Sequence, residues 1–175
     1  MAASVESEEW LDIVDAGDRV IGRAPRAAFH GNPALRHRAV HTHVVDRAGR
    51  LLLQRRSHTK EVQPGRWDTA VGGHVASGES YQSAVHREVS EELGLAEAPL
   101  EELYAYEWRS PIETELVRTY LLLHEGPFRA PPSEILALEW FDLGRLRAPD
   151  LRRLMTPNLR DELRRLVEAR PELLR

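Results

Sequence analysis

Three glutamates in the segment 79–95 have a spacing that places them on one face of a predicted helix. Glu88, Glu91 and Glu92 would lie within about 100° of arc. Like charges at this spacing destabilise a helix by roughly 0.2–0.5 kcal/mol per pair, and a bound cation would relieve that repulsion. Carboxylate oxygens suit Mg²⁺ and Mn²⁺, which activate water for attack on phosphorus. Taken alone, three glutamates more often form a solvated acidic surface, so the surrounding sequence has to distinguish the two interpretations.

A longer pattern extends on both sides of the glutamates. Gly73 is followed by five residues and then Glu79, and seven further residues lead to the segment 87–95, REVSEELGL. This arrangement resembles the Nudix box, G-x5-E-x7-R-E-U-x-E-E-x-G-U with U aliphatic, at every defined position of residues 73–95. The resemblance favours the metal-binding interpretation over the solvated surface.

The resemblance to the Nudix family implies both a fold and a set of roles. It implies a loop–helix–loop motif within an α/β/α sandwich, and an ion pair between Arg87 and Glu79 that ties the helix to its loop. The cofactor that it implies is Mg²⁺ or Mn²⁺. The metal ligands that it implies are Glu88, Glu91, Glu92 and the carbonyl of Gly72.

Further residues resemble a subgroup of this family, the type I isopentenyl-diphosphate isomerases and related hydrolases. In those isomerases two early histidines, a histidine beside the box and two later glutamates hold a metal. The matching positions are His30, His37, His74, Glu113 and Glu115. Each of these residues alone is more often structural, but as an ordered set they predict a second metal site.

The segment 51–74, LLLQRRSHTKEVQPGRWDTAVGGH, also resembles the isomerases. The resemblance implies that Arg56 and Lys60 bind the substrate diphosphate, a role that suits a guanidinium fork and a mobile ammonium group. The isomerases carry a catalytic cysteine directly before the Gly-His pair, where this chain has Gly72. His41 and His43 have no counterpart in the pattern and are predicted to be structural.

These features predict metal-dependent hydrolysis of a diphosphate linkage in a nucleoside diphosphate derivative or another organic diphosphate. A glutamate would take the proton from the attacking water, and the candidates are Glu91 and Glu115, with Glu113 a further one. Two alternatives remain at this point: an isomerase resembling isopentenyl-diphosphate isomerase, and a non-catalytic diphosphate-binding module.

Composition sets outer limits on these hypotheses. The chain has 175 residues, a net charge of −4 and no cysteine, which excludes thiolate chemistry and gives no electrostatic basis for binding nucleic acid. It has no signal-peptide pattern, and no apolar stretch approaches the roughly 20 residues that span a bilayer. We therefore expect a cytoplasmic enzyme for a small-molecule diphosphate, with no nucleic-acid or membrane partner. A homodimer is expected by analogy with the family alone.

The elements that must position these residues follow from hydrophobic patterning and turn signals. The order of strands, helix, strands and helix predicts an α/β (α+β) fold, with a mixed sheet between helices. We expect residues 1–8 to be disordered and residues 9–175 to form a single domain. The predicted helices are residues 79–93, ending at Gly94, and a last helix capped by Thr156. The predicted strands are residues 10–14, 19–23, 38–46, 50–56, 67–71, 100–108, 114–123 and 136–141.

Overall fold

A computed structural model describes residues 9–173, so the expectation for residues 1–8 lies outside the described part of the chain. The strands are β1 (Trp10–Val14), β2 (Val20–Pro25), β3 (Arg36–Val45), β4 (Leu51–Arg56), β5 (Trp67–Thr69), β6 (Val71–His74), β7 (Leu100–Arg109), β8 (Thr114–Leu123) and β9 (Ile135–Phe141). The helices are α1 (Tyr81–Leu93), α2 (Leu143–Arg147), α3 (Pro149–Leu154) and α4 (Pro157–Ala169). None of the helices within residues 9–173 is long and apolar enough to cross a membrane.

Seven strands form one mixed sheet in the order β5-β4-β3-β8-β7, with β6 also pairing with β3 and β9 with β4. The central pair, β3 and β8, is parallel, and its register places His37 opposite Glu115. The other pairings in this sheet are antiparallel. The predicted mixed sheet is therefore confirmed.

Helices cover both faces of the sheet because side chains alternate along each strand. On one face, apolar side chains of β3 and β4 pack against α1, in a cluster that contains Val40, Val44, Leu52, Val85 and Val89. On the other face, the alternate side chains pack against α4, in a cluster that contains Val45, Leu51, Leu53, Leu159 and Leu163. The result is the predicted sandwich of two helical layers about one sheet.

Helix α1 begins two residues later than predicted. Ser80 is its N-cap, with an extended backbone and a side chain that accepts a hydrogen bond from Ser83 N. Glu79 therefore lies in the preceding loop, where its carboxylate accepts a hydrogen bond from Ala76 N at 2.9 Å. The predicted end is confirmed, because Gly94 adopts the left-handed conformation with φ of 71°.

The backbone around the glycine pair before α1 differs from the predicted strand and loop. Residues 67–71 do not form one strand followed by a glycine loop; the chain forms β5, turns at Ala70 and continues as β6. Gly72 and Gly73 are thus strand residues, paired with His41 and Val40 of β3. Sequence patterning misses this strand because glycines carry no apolar periodicity.

Candidate active site

Glu92 is the most enclosed of the three helix glutamates, with 6% of its surface exposed. Its Oε2 accepts hydrogen bonds from Gln54 Nε2 at 3.0 Å and from Gly72 N at 3.1 Å. Burial, reinforced by the negative charge of Glu88, raises the pKa of Glu92 to about 8. A carboxylate that is desolvated beside another carboxylate is stabilised by a cation, so the donor set fits a divalent metal ion.

Arg87 organises the other two glutamates. Its guanidinium donates to Glu79 at 2.9 and 3.0 Å, which gives the ion pair expected from the sequence. The same guanidinium contacts Glu88 at 2.6 Å and Glu91 at 3.3 Å. Glu91 is exposed, whereas burial raises the pKa of Glu88 above its usual value. Arg87 therefore links the loop before α1 to the carboxylates that face the proposed metals.

Gly73 leaves the space that the Glu88 carboxylate occupies. A Cβ atom built on Gly73 would overlap that carboxylate. We expect Gly73→Ala to displace Glu88 and to lower kcat by about 100-fold, because misplacing a reacting group by about 1 Å costs that much. The matched control is Gly22→Ala, whose Cβ would meet Ile13 at an ordinary 3.6 Å. Steady-state kinetics and thermal unfolding of both variants test this, and an unchanged kcat for Gly73→Ala would contradict it.

A second group of candidate ligands lies on the opposite face of the sheet. One ligand atom each from His37, His74 and Glu115 lies within 4.8 Å of the others. The strands explain this proximity, since His37 on β3 pairs with Glu115 on β8, and His74 lies on β6 at the other side of β3.

This trio has features expected of a metal site. His37 is 1% exposed, and neither of its ring nitrogens has a hydrogen-bond partner among residues 9–173. Burial acts to raise the pKa of Glu115, but His37, at 3.4 Å, together with His74 outweighs burial and lowers that pKa to about 2. Burial lowers the pKa of His74, which favours the neutral form that binds metals. A carboxylate oxygen and imidazole nitrogens are donor types that first-row divalent metal ions bind.

The other two residues of the predicted set do not join the trio. His30 instead lies 3.0 Å from Glu61. Glu113 precedes β8, and burial together with the charge of Glu115 raises its pKa to about 7. The structure thus brings together three of the five residues that the isomerase resemblance implied.

Arg56 and Lys60, the predicted diphosphate ligands, both have acidic partners. Arg56 pairs with Asp68 at 3.0 Å and donates to the carbonyl of Val62. Lys60 Nζ lies 2.8 Å from Glu134 Oε2. Sequence reasoning missed Glu134, because it lies in a loop 74 residues from its partner and belongs to no motif.

A buried polar network under α4 was also missed by sequence reasoning. Glu162 is fully buried and accepts hydrogen bonds from Thr69, from Tyr106 at 2.8 Å and from Thr119 at 3.4 Å, while His41 Nδ1 lies 2.8 Å from it. His41 lies on β3, the strand that also carries His37. Its ring lies against Gly72, where a Cβ would be 3.2 Å from Cδ2.

Comparisons with known proteins agree with this fold and site. The NUDIX domain model matches residues 35–165. A Nudix hydrolase of Yersinia pestis is 38% identical over 136 residues, covering 75% of this chain and 72% of its own length. The Nudix hydrolase YfcD of Escherichia coli K12 is 34% identical over 134 residues, covering 77% and 74%. The crystal structure of DR0079 from Deinococcus radiodurans superposes with a TM-score of 0.77 at 28% identity, covering 90% of this chain and 98% of that one.

Two features define the class of protein: the mixed sheet between helices, and the glutamate-bearing helix that follows a glycine pair. This chain belongs to the Nudix family, and it is a hydrolase that acts on diphosphate bonds. The family match ends at residue 165, so a single domain over residues 9–175 remains a prediction.

Proposed function

We propose that the protein hydrolyses a small organic diphosphate, such as a nucleoside diphosphate derivative, with Mg²⁺ or Mn²⁺ bound at Glu88, Glu91 and Glu92. The observation that carries the proposal is the buried carboxylate of Glu92 on the Nudix helix, desolvated beside Glu88. When bound, the metal polarises the phosphate and makes water more acidic. Arg56 would release Asp68, and Lys60 would release Glu134. Both side chains would then bind the diphosphate by charge-assisted hydrogen bonds.

Of the candidate bases, we favour Glu91. It lies on the same face of α1 as Glu88 and Glu92, and it is exposed to the water that must be deprotonated. Glu115 lies on the opposite sheet face, buried beside His37 and His74. A base needs access to the attacking water, and the exposed side chain of Glu91 is accessible to water.

The test is hydrolysis of a panel of substrates, with phosphate, diphosphate and phosphate-monoester products separated by chromatography, with Mg²⁺ and separately with Mn²⁺. The panel contains nucleoside diphosphates and triphosphates, dinucleotide polyphosphates, nucleotide sugars and isopentenyl diphosphate. We expect turnover that requires the metal and falls sharply in Glu91→Gln even at saturating metal, where the loss of a metal ligand alone is compensated. Metal-dependent turnover that survives Glu91→Gln would reject this base, and no turnover across the panel would argue against the proposed substrate class.

We propose that His37, His74 and Glu115 hold a second metal ion, and that this trio relates the chain to the isomerase subgroup. His74→Ala should remove one bound Mn²⁺ equivalent or weaken it at least about tenfold, because even partners of metal ligands contribute 10–100-fold to affinity. Calorimetric titration with Mn²⁺ measures this without any substrate. The control, His86→Ala, changes a histidine on α1 away from the trio. Equal Mn²⁺ stoichiometry and affinity in the wild type and His74→Ala would contradict the site.

The trio also favours isomerase activity as a second candidate function. Against it, Gly72 stands where the isomerases have their catalytic cysteine, and glycine cannot protonate an alkene. Incubation with isopentenyl diphosphate separates the two functions, because hydrolysis releases phosphate or diphosphate whereas isomerisation gives the dimethylallyl isomer. We expect no isomer.

A further inference from the structure

Lys60 and Glu134 form an ion pair that belongs to neither of the two predicted metal sites. Lys60 Nζ lies 2.8 Å from Glu134 Oε2, and the side chains are 30% and 48% exposed. Glu134 also holds the loop that carries Lys60 in place, because the backbone carbonyl of Glu134 accepts a hydrogen bond from Ser57 N at 2.9 Å. The loop that follows β4 is therefore attached to the residue before β9 by one backbone contact and one ion pair.

The pair lies at the metal-binding end of the Nudix helix. Gln54 of β4 contacts Glu92, and Arg56 lies two residues further on the same face of the strand, about 7 Å away. Arg56 pairs in the sheet with Ile135, the neighbour of Glu134. The charges of both side chains act on Glu92. The carboxylate of Glu134 raises the pKa of Glu92, and the ammonium group of Lys60 lowers it. Lys60 and Glu134 thus lie within electrostatic reach of Glu92, one of the carboxylates that would hold the metal.

We propose that Glu134 is the resting partner of Lys60 and sets the affinity of the enzyme for diphosphates, because the substrate must displace its carboxylate from Lys60. This inference rests on the proposed function, in which Lys60 binds the diphosphate. An exposed ion pair of this kind is weak and exchanges readily, so a multiply charged, metal-bound diphosphate can replace a single carboxylate. The same competition acts on the product phosphate and keeps it from binding tightly. Glu134 is therefore a positioning residue that acts through Lys60.

The test uses the full-length protein, with Mg²⁺ and methylenediphosphonate, a diphosphate analogue with no cleavable bridging oxygen. Calorimetric titration should show binding about threefold to fivefold tighter in Glu134→Gln, the range that loss of an exposed ion pair allows. In a Lys60→Met background the same substitution should have no effect, since no competition for Lys60 remains. This double-mutant cycle isolates the interaction between the two side chains. With substrate, KM should fall in Glu134→Gln by the same factor.

The control is Glu125→Gln, which neutralises another exposed carboxylate of the same connecting segment. Glu125 pairs with Arg47 at the far end of the β3–β4 hairpin, so its loss should leave binding unchanged. Equal tightening by Glu134→Gln with and without Lys60 would show direct repulsion of the ligand and overturn the inference. Weaker binding in Lys60→Met with no change in Glu134→Gln would overturn the inference alone. Unchanged binding in Lys60→Met would reject Lys60 as a diphosphate ligand in the proposed function, and the inference with it.

Discussion

Glu92→Gln is expected to lower kcat by about 1,000-fold while leaving the protein folded. Glutamine keeps the shape of the side chain but removes a proposed anionic metal ligand, and loss of metal-assisted charge stabilisation costs several kcal/mol in the transition state. Kinetics over a range of Mg²⁺ concentrations should show both a lower kcat and a higher metal requirement. Glu97→Gln, an exposed glutamate just after α1, should behave as the wild type.

Stability distinguishes this loss of activity from unfolding. The pKa of Glu92 is raised to about 8, so the folded protein binds more protons than the unfolded chain between pH 4.5 and 8. Metal-free wild-type protein should therefore lose stability as pH rises through this window. Glu92→Gln removes this ionisation, and at pH 8 it should be at least as stable as the metal-free wild type. Urea denaturation measures both proteins, and a clearly less stable variant at pH 8 would reject this account of Glu92.

Glu162→Ala is expected to lower the free energy of unfolding by about 3–5 kcal/mol, the usual cost of removing one partner of a buried ion pair. The loss leaves His41 without its carboxylate and Tyr106 without one of its acceptors. Urea denaturation at pH 6 measures the change. The matched control is Glu168→Ala, which breaks an exposed pair with Arg164 and should cost at most about 1 kcal/mol.

The pH dependence gives this prediction a second, independent test. Burial acts to lower the pKa of His41, but Glu162 outweighs burial and raises it to about 9. His41 therefore stabilises the fold fully below pH 6.5, and this contribution is lost as pH rises through 9. Burial acts to raise the pKa of Glu162, but His41 and further hydrogen-bond donors lower it to about 2. Glu162 therefore stabilises the fold above pH 4.5, and this contribution is lost as pH falls towards 2.

The difference in stability between wild type and Glu162→Ala should thus be largest between pH 4.5 and 6.5. It should shrink as pH rises from 6.5 to 9, where first the unfolded chain and then the folded protein loses the charge of His41. It should also shrink as pH falls from 4.5 towards 2, where the same happens to the charge of Glu162. A difference that stays constant from pH 5 to pH 10 would show that packing, and not the ion pair, holds Glu162 in place.

Several features of this protein could be derived from the sequence alone because their physical causes are local. The apolar period of α1, its capping by Gly94 and the strand patterns depend on neighbouring residues, and all three are present in the structure. The Arg87–Glu79 ion pair also followed from a short motif. Local reasoning failed at β6, where Gly72 and Gly73 carry no side-chain signal for the strand that they form. It also placed the start of α1 two residues too early and did not predict α2 or α3.

The arrangement of the sites, in contrast, was decided by tertiary structure. Strand pairing brings His37 and Glu115 together while leaving His30 with Glu61, which spacing along the chain could not distinguish. The pairs His41–Glu162 and Lys60–Glu134 join residues 121 and 74 positions apart. Local sequence fixes which way a side chain points from its own strand or helix, but the register between distant elements decides which side chains meet there.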